Sequence, residues 1–106
     1  MNHSSAVNRI RLAVSALGGV SIPYTVGSFR AMDSDRVIRV GLPGVSDILA
    51  CIGGRFIAVE VKVGRDTQRD EQKSFQAAAE KAGALYVLAK FTDKEDGVVT
   101  LKAAVS

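Results

Sequence analysis

The chain is expected to form an α/β fold, a mixed central β-sheet flanked by helices. Three observations carry this. Two segments repeat apolar residues at helical spacing, and several short segments run or alternate apolar at strand length. The dipeptide Gly53-Gly54 separates two such runs, as in a tight hairpin. The order helix, three strands, helix, two strands places helices on a mixed sheet.

The first helix is read from "SSAVNRIRLAVSALGG", residues 4–19, where Val7, Ile10, Val14 and Leu17 share one stripe. Ser4 or Ser5 is the expected N-cap and Gly18-Gly19 the stop. Residues 20–29 read as extended but irregular, being interrupted by Pro23 and Gly27. "RVIRV", residues 36–40, alternates as a short strand, and "GLPG", residues 41–44, is a loop. Residues 46–52 and 55–63 form the hairpin strands. A second helix is expected from Thr67, as N-cap, to about Lys81, stopping at Gly83, with a buried stripe of Phe75, Ala78, Ala79 and Ala82. "ALYVLAKF", residues 84–91, is a buried strand by its apolar run. "EDG" is expected to turn the chain into a last strand, Val98 to Val105.

The chain has 106 residues, enough for one domain spanning 1–106. A domain this small buries a modest core, so a partner subunit would help it. With 47% hydrophobic and 24% charged residues it reads as a globular protein of ordinary composition. It contains neither a membrane-length apolar run nor the pattern of a secretory signal. Its single cysteine, Cys51, is expected to be a small buried residue in a reducing, cytoplasmic setting. The net charge of +3 sits in residues 1–32, which hold Arg9, Arg11 and Arg30 and no acid. Such an excess permits contact with phosphate without requiring it.

A hairpin turning at Gly53-Gly54 sets Ile52 against Arg55 and therefore Asp47 against Glu60. Opposed side chains point to one face, with Cβ atoms about 4.5–5.5 Å apart. Lys62 shares that face, whereas Ile57, Val59, Val61 and Val63 make the core face. Like charges in that position destabilise a strand pair. Each carboxylate raises the pKa of the other unless a positive group intervenes. A divalent cation such as Mg²⁺, which takes one or two carboxylates and keeps several waters, would relieve the repulsion. Asp47 and Glu60 are then direct ligands, and the Val61 carbonyl is a candidate third. Lys62 would stand beside a bound water, able to orient it and to steady charge building on a phosphate. Glu-Val-Lys alone is an ordinary strand; the opposed Asp47 is what sets it apart. Gln72 extends the inward stripe of the second helix, where it either reaches this site or lies half exposed at the rim of the core.

"GLPGVSD", "EVK" twelve residues later and then Gln72 together resemble the VRR-NUC family of the PD-(D/E)XK nuclease superfamily. The resemblance runs from roughly Val26 to Lys90 and includes "VGSFR", "EQKSF" and "KAGALYVLAK". It implies a restriction-endonuclease-like αβββαβ core. It also implies a metal-dependent endodeoxyribonuclease that hydrolyses phosphodiesters with Mg²⁺ or Mn²⁺, at branched DNA such as four-way junctions. The family's acids fall on Asp47 and Glu60, its lysine on Lys62 and its glutamine on Gln72. Compact stand-alone members resemble junction resolvases and are expected to dimerise; a phage or bacterial origin suits so short a form. Two sites related by a two-fold also suit a symmetric junction.

DNA contacts are expected from Ser46 and the amides around Gly44, and from two or three of Arg9, Arg11, Arg30, Arg36, Arg39, Arg65 and Arg69, with Arg39 and Arg65 foremost. One departure stands out. Many members carry a glutamate on the first helix facing the metals, whereas here no acid precedes Asp33. Asn8 and Ser15 are the nearest polar side chains. The site is then expected to hold its metals more weakly, to bind one where relatives bind two, or to be impaired. The alternative is a DNA-binding dimer of the same fold that does not cut. A third reading is an interaction module whose last strand, "VVTLKAAV", pairs edge to edge.

Overall fold

A computed structural model describes residues 1–24, 27–30, 37–40 and 44–106, with backbone alone for 27–30 and 37–40. The element order is α1 (His3–Ala16), β1 (Val20–Pro23), β2 (Gly27–Arg30), β3 (Val37–Val40), β4 (Ile48–Ile52), β5 (Arg55–Val63), α2 (Asp70–Lys81), β6 (Leu85–Phe91) and α3 (Asp96–Val105). Four strands form a mixed sheet in the order β1-β4-β5-β6, antiparallel except for the parallel pair β5–β6. Strands β2 and β3 pair with each other as a separate antiparallel ribbon. The α/β fold class is as expected. The loop residues 41–43, Arg36, and the side chains of Arg30 and Arg39 lie outside the described residues.

Helix α1 begins at Asn2, whose side chain accepts from the Ser5 N–H at 2.8 Å, rather than at Ser4 or Ser5. It ends as expected. Gly18 has φ +82°, and the Gly18 and Gly19 amides donate back to the carbonyls of Ser15 and Val14. Its buried face is Ala6, Ile10, Ala13 and Val14. Leu17, expected on the same stripe, is instead the exposed C-cap residue.

The β4–β5 hairpin has the expected register, from Ile52↔Arg55 to Ile48↔Val59. Gly53 and Gly54 have φ +57° and +78°, the pair of positive angles that a two-residue turn of this hand demands. Ile57, Val59 and Val61 join α1, α3, β4 and β6 in the main core. The opposite face of β5 carries Ala58, Glu60 and Lys62, also buried, under α2.

Helix α2 starts at Asp70 with Arg69 as its cap residue, not at Thr67. Its inward face is Gln72, Phe75, Gln76 and Ala79, while Ala78 and Ala82 are exposed. Polar contacts help set this rotation: the Gln68 side-chain amide donates to Gln76 Oε1 at 2.8 Å and to the Tyr86 hydroxyl at 3.0 Å. Gly83 stops the helix as expected, with φ +97° and the same two back-donated bonds.

The last segment corrects the sequence reading. Residues 96–105 form helix α3, not a strand. Asp93 Oδ1 accepts from the Glu95 and Asp96 amides, and the Asp96 carboxylate accepts from the Thr92 and Gly97 amides. These bonds satisfy main-chain donors at the helix start. Val98, Leu101 and Val105 then fall on the core side. "VVTLKAAV" therefore offers no strand for edge-to-edge pairing. Cys51 is likewise corrected: it is exposed. Among the described residues no helix is long and apolar enough to cross a membrane.

Candidate active site

The site forms where the β4–β5 ladder runs out. Beyond the last pair, Ile48↔Val59, the chain entering β4 carries Asp47, and β5 continues through Glu60, Val61 and Lys62. Asp47 is fixed twice: its carbonyl accepts from the Tyr24 N–H at 2.8 Å, and its Oδ2 accepts from the Val61 N–H at 2.8 Å. The N–H and C=O of one residue in an extended strand point to the same edge. Val61 thus presents its carbonyl toward Asp47 as well.

Glu60 is 2% exposed, and its Oε2 has no hydrogen-bond partner. Burial first, then the hydrogen bond to Asp47 and the charge of Asp47, push its carboxyl up to about 9, against the weaker pull of Lys62 and Arg69. For Asp47, burial acts upward, but the bonds from Glu60, the Val61 amide and His3 outweigh it and hold the group below its ordinary value. At neutral pH the pair therefore carries one proton, on Glu60. A buried carboxyl with an unpartnered oxygen, hydrogen-bonded to a second carboxylate, suits a hard divalent cation in place of that proton.

Lys62 is 3% exposed and held in place. Its Nζ donates to Gln72 Oε1 at 3.0 Å and lies 3.7 Å from Asp66 Oδ2. Gln72 Oε1 also accepts from the Arg69 N–H at 2.8 Å. One glutamine oxygen thus caps α2 and anchors the lysine. Gly44, with φ +86°, lies so close to the Glu71 main chain that any Cβ would collide with it. This contact seats Gly44 on the first turn of α2.

A polar cavity of about 310 Å³ opens onto the pair, lined by Tyr24, Gly44, Asp47, Glu60, Arg69 and Gln72 among others. A larger neighbouring cavity of about 480 Å³, bounded by Leu49, Phe56 and Phe75, is apolar and lacks the groups for hydrolysis.

The structure therefore brings together Asp47, Glu60, Val61, Lys62, Gln72 and Gly44. It separates Ser46 from the surface: this residue is fully buried, so it cannot touch a phosphate as expected. Arg65 is exposed at the end of β5, and Arg69 lies at the cavity itself. Arg9 pairs with Glu95 at 3.3 Å, and Arg11 donates to Ser21 at 3.4 Å. Asn8 and Ser15 line a different hollow with Arg11 and Ser21. Sequence reasoning missed His3, whose Nε2 lies 3.4 Å from Asp47 Oδ1. No spacing along the chain signalled it, since it precedes the helix read from residues 4–19. Among the described residues no three His, Cys, Asp or Glu side chains stand as a ready-made metal cluster. No protein-family model matches the chain, and no curated protein matches it significantly.

Proposed function

We propose that the chain is a metal-dependent endonuclease hydrolysing phosphodiester bonds of DNA, with branched structures such as four-way junctions as its substrates. The observation that carries this is the unpartnered, buried Glu60 oxygen beside Asp47, two residues from an anchored Lys62. The kinship with VRR-NUC nucleases belongs to the same proposal and rests on "GLPGVSD", "EVK" and Gln72. Asp47 and Glu60 hold Mg²⁺ or Mn²⁺, with the Val61 carbonyl as a further donor. The bound cation supplies an activated water and offsets charge on the phosphate. Lys62 orients that water and steadies the developing charge, and Gln72 keeps Lys62 in position. Arg69 at the cavity and Arg65 beyond β5 attract the nucleic-acid backbone.

The proposal includes a two-fold homodimer. The sheet face exposing Val20, Ile22 and Phe56, at 69%, 61% and 50%, is the surface such a pair would cover. Sedimentation at several concentrations tests this; a monomer throughout contradicts it.

Cleavage of a labelled four-way junction, a flapped duplex and linear DNA, with and without Mg²⁺, tests the activity. Metal-dependent cutting that is lost in Lys62→Ala while binding persists supports the enzyme. Binding without cutting at any Mg²⁺ or Mn²⁺ level supports the second reading, a non-cutting DNA-binding dimer. The absence of any acid before Asp33 favours that second reading.

A further inference from the structure

Helix α1 brings no acid to the site, but it does bring the chain's one histidine. Asp47 Oδ2 is engaged by the Val61 amide, so Oδ1 is its oxygen available to a ligand, and His3 Nε2 stands 3.4 Å from that atom. Two donors each about 2.1 Å from a cation and about 110° apart are themselves about 3.4 Å apart, the edge of a tetrahedral Zn²⁺-type site. Glu60, whose Oε2 is buried without a partner, lines the same cavity as Asp47. The His3 side chain is 51% exposed, so no packing holds its imidazole in one orientation.

We infer that His3 is the α1 contribution to the metal site, joining Asp47 Oδ1 and Glu60 Oε2 as a third side-chain ligand that gives the site a preference for cations accepting nitrogen. This rests on the reading that Asp47 and Glu60 hold a cation. Carboxylates alone favour Mg²⁺ and Mn²⁺; an imidazole raises the affinity for Zn²⁺ and Co²⁺ more than that for Mg²⁺. Without a cation the three groups do not stand as one set; on this inference His3 turns toward the pair when the cation binds.

The single histidine makes the test direct. Zn²⁺ is titrated into ¹⁵N-labelled protein while the imidazole nitrogen signals are followed, and Zn²⁺ and Mg²⁺ affinities are measured by calorimetry for wild type, His3→Ala and Asp47→Asn. Thermal unfolding without metal confirms that each variant folds. The expected result is a saturable shift of the His3 Nε2 signal. His3→Ala should weaken Zn²⁺ at least about tenfold, with less than about threefold change for Mg²⁺. Zn²⁺ binding lost in Asp47→Asn but unmoved in His3→Ala, with a silent imidazole, overturns the role of His3 and leaves the site reading standing. No cation binding by wild type overturns both.

Discussion

The Glu60 carboxyl keeps its proton and shares a hydrogen bond with the Asp47 carboxylate across the open end of the β4–β5 ladder, and its Oε2 is buried without a partner. That relationship organises the site. The pair holds one negative charge where two would repel, and the proton occupies the place a cation would take.

Cation binding should therefore expel the proton. At pH 7, calorimetric titration of Mn²⁺ in two buffers of different ionisation enthalpy should show release of about one proton per cation. Affinity should rise with pH up to about 9, the point at which Glu60 ionises unaided. Equal heats in both buffers would contradict this.

The same group makes stability depend on pH without metal. Its carboxyl titrates near 4.5 when unperturbed and near 9 in the fold. The folded state binds the proton more tightly. The stabilisation is therefore complete below the unperturbed value and lost as pH rises toward 9. Glu60→Gln cannot ionise and should escape that loss. Its melting temperature should exceed that of wild type by at least about 4 °C at pH 9 and approach it at pH 5. Parallel melting curves across that range would refute the assignment.

Lys62→Met keeps the buried stem and removes the ammonium. Gln72 Oε1 keeps its bond from the Arg69 amide, so no acceptor is orphaned. Junction cleavage should fall about 10²- to 10³-fold, with stability changed by less than about 1 kcal/mol and DNA binding retained. A large loss of stability with cleavage per folded molecule unchanged would make Lys62 a structural residue.

Gly44→Ala should be costly and Gly83→Ala mild. Both positions have positive φ, but a Cβ at 44 would strike the Glu71 main chain, while the space at 83 is open. Chemical denaturation should show a loss of about 2–3 kcal/mol at 44 and about 1 kcal/mol at 83. Similar losses at both would show that the loop does not bear on α2.

The hairpin and its register were legible because two consecutive glycines determine the turn, and the turn determines every pair down to Asp47 and Glu60. Gln72 was legible as an inward residue of α2, though its capping bond to Arg69 was not, since that depends on where the helix starts. Helix α3 was hidden: its β-branched run reads as a strand, and the overriding signal is the side-chain capping by Asp93 and Asp96. Ser46 was read as an accessible phosphate contact at the start of a strand, because nothing local reveals that the fold buries it completely. His3 was invisible as a site residue, because its distance to Asp47 is set by how α1 docks and not by any spacing along the chain.

The central claim, that Asp47 and Glu60 form a cation site, is tested most directly by a crystal structure of the protein grown with Mn²⁺ and measured for anomalous scattering. The account predicts a manganese peak within bonding distance of both carboxylates, with their mutual hydrogen bond broken. Two carboxyl groups still joined by their proton, with no peak between or beside them at saturating Mn²⁺, would contradict it.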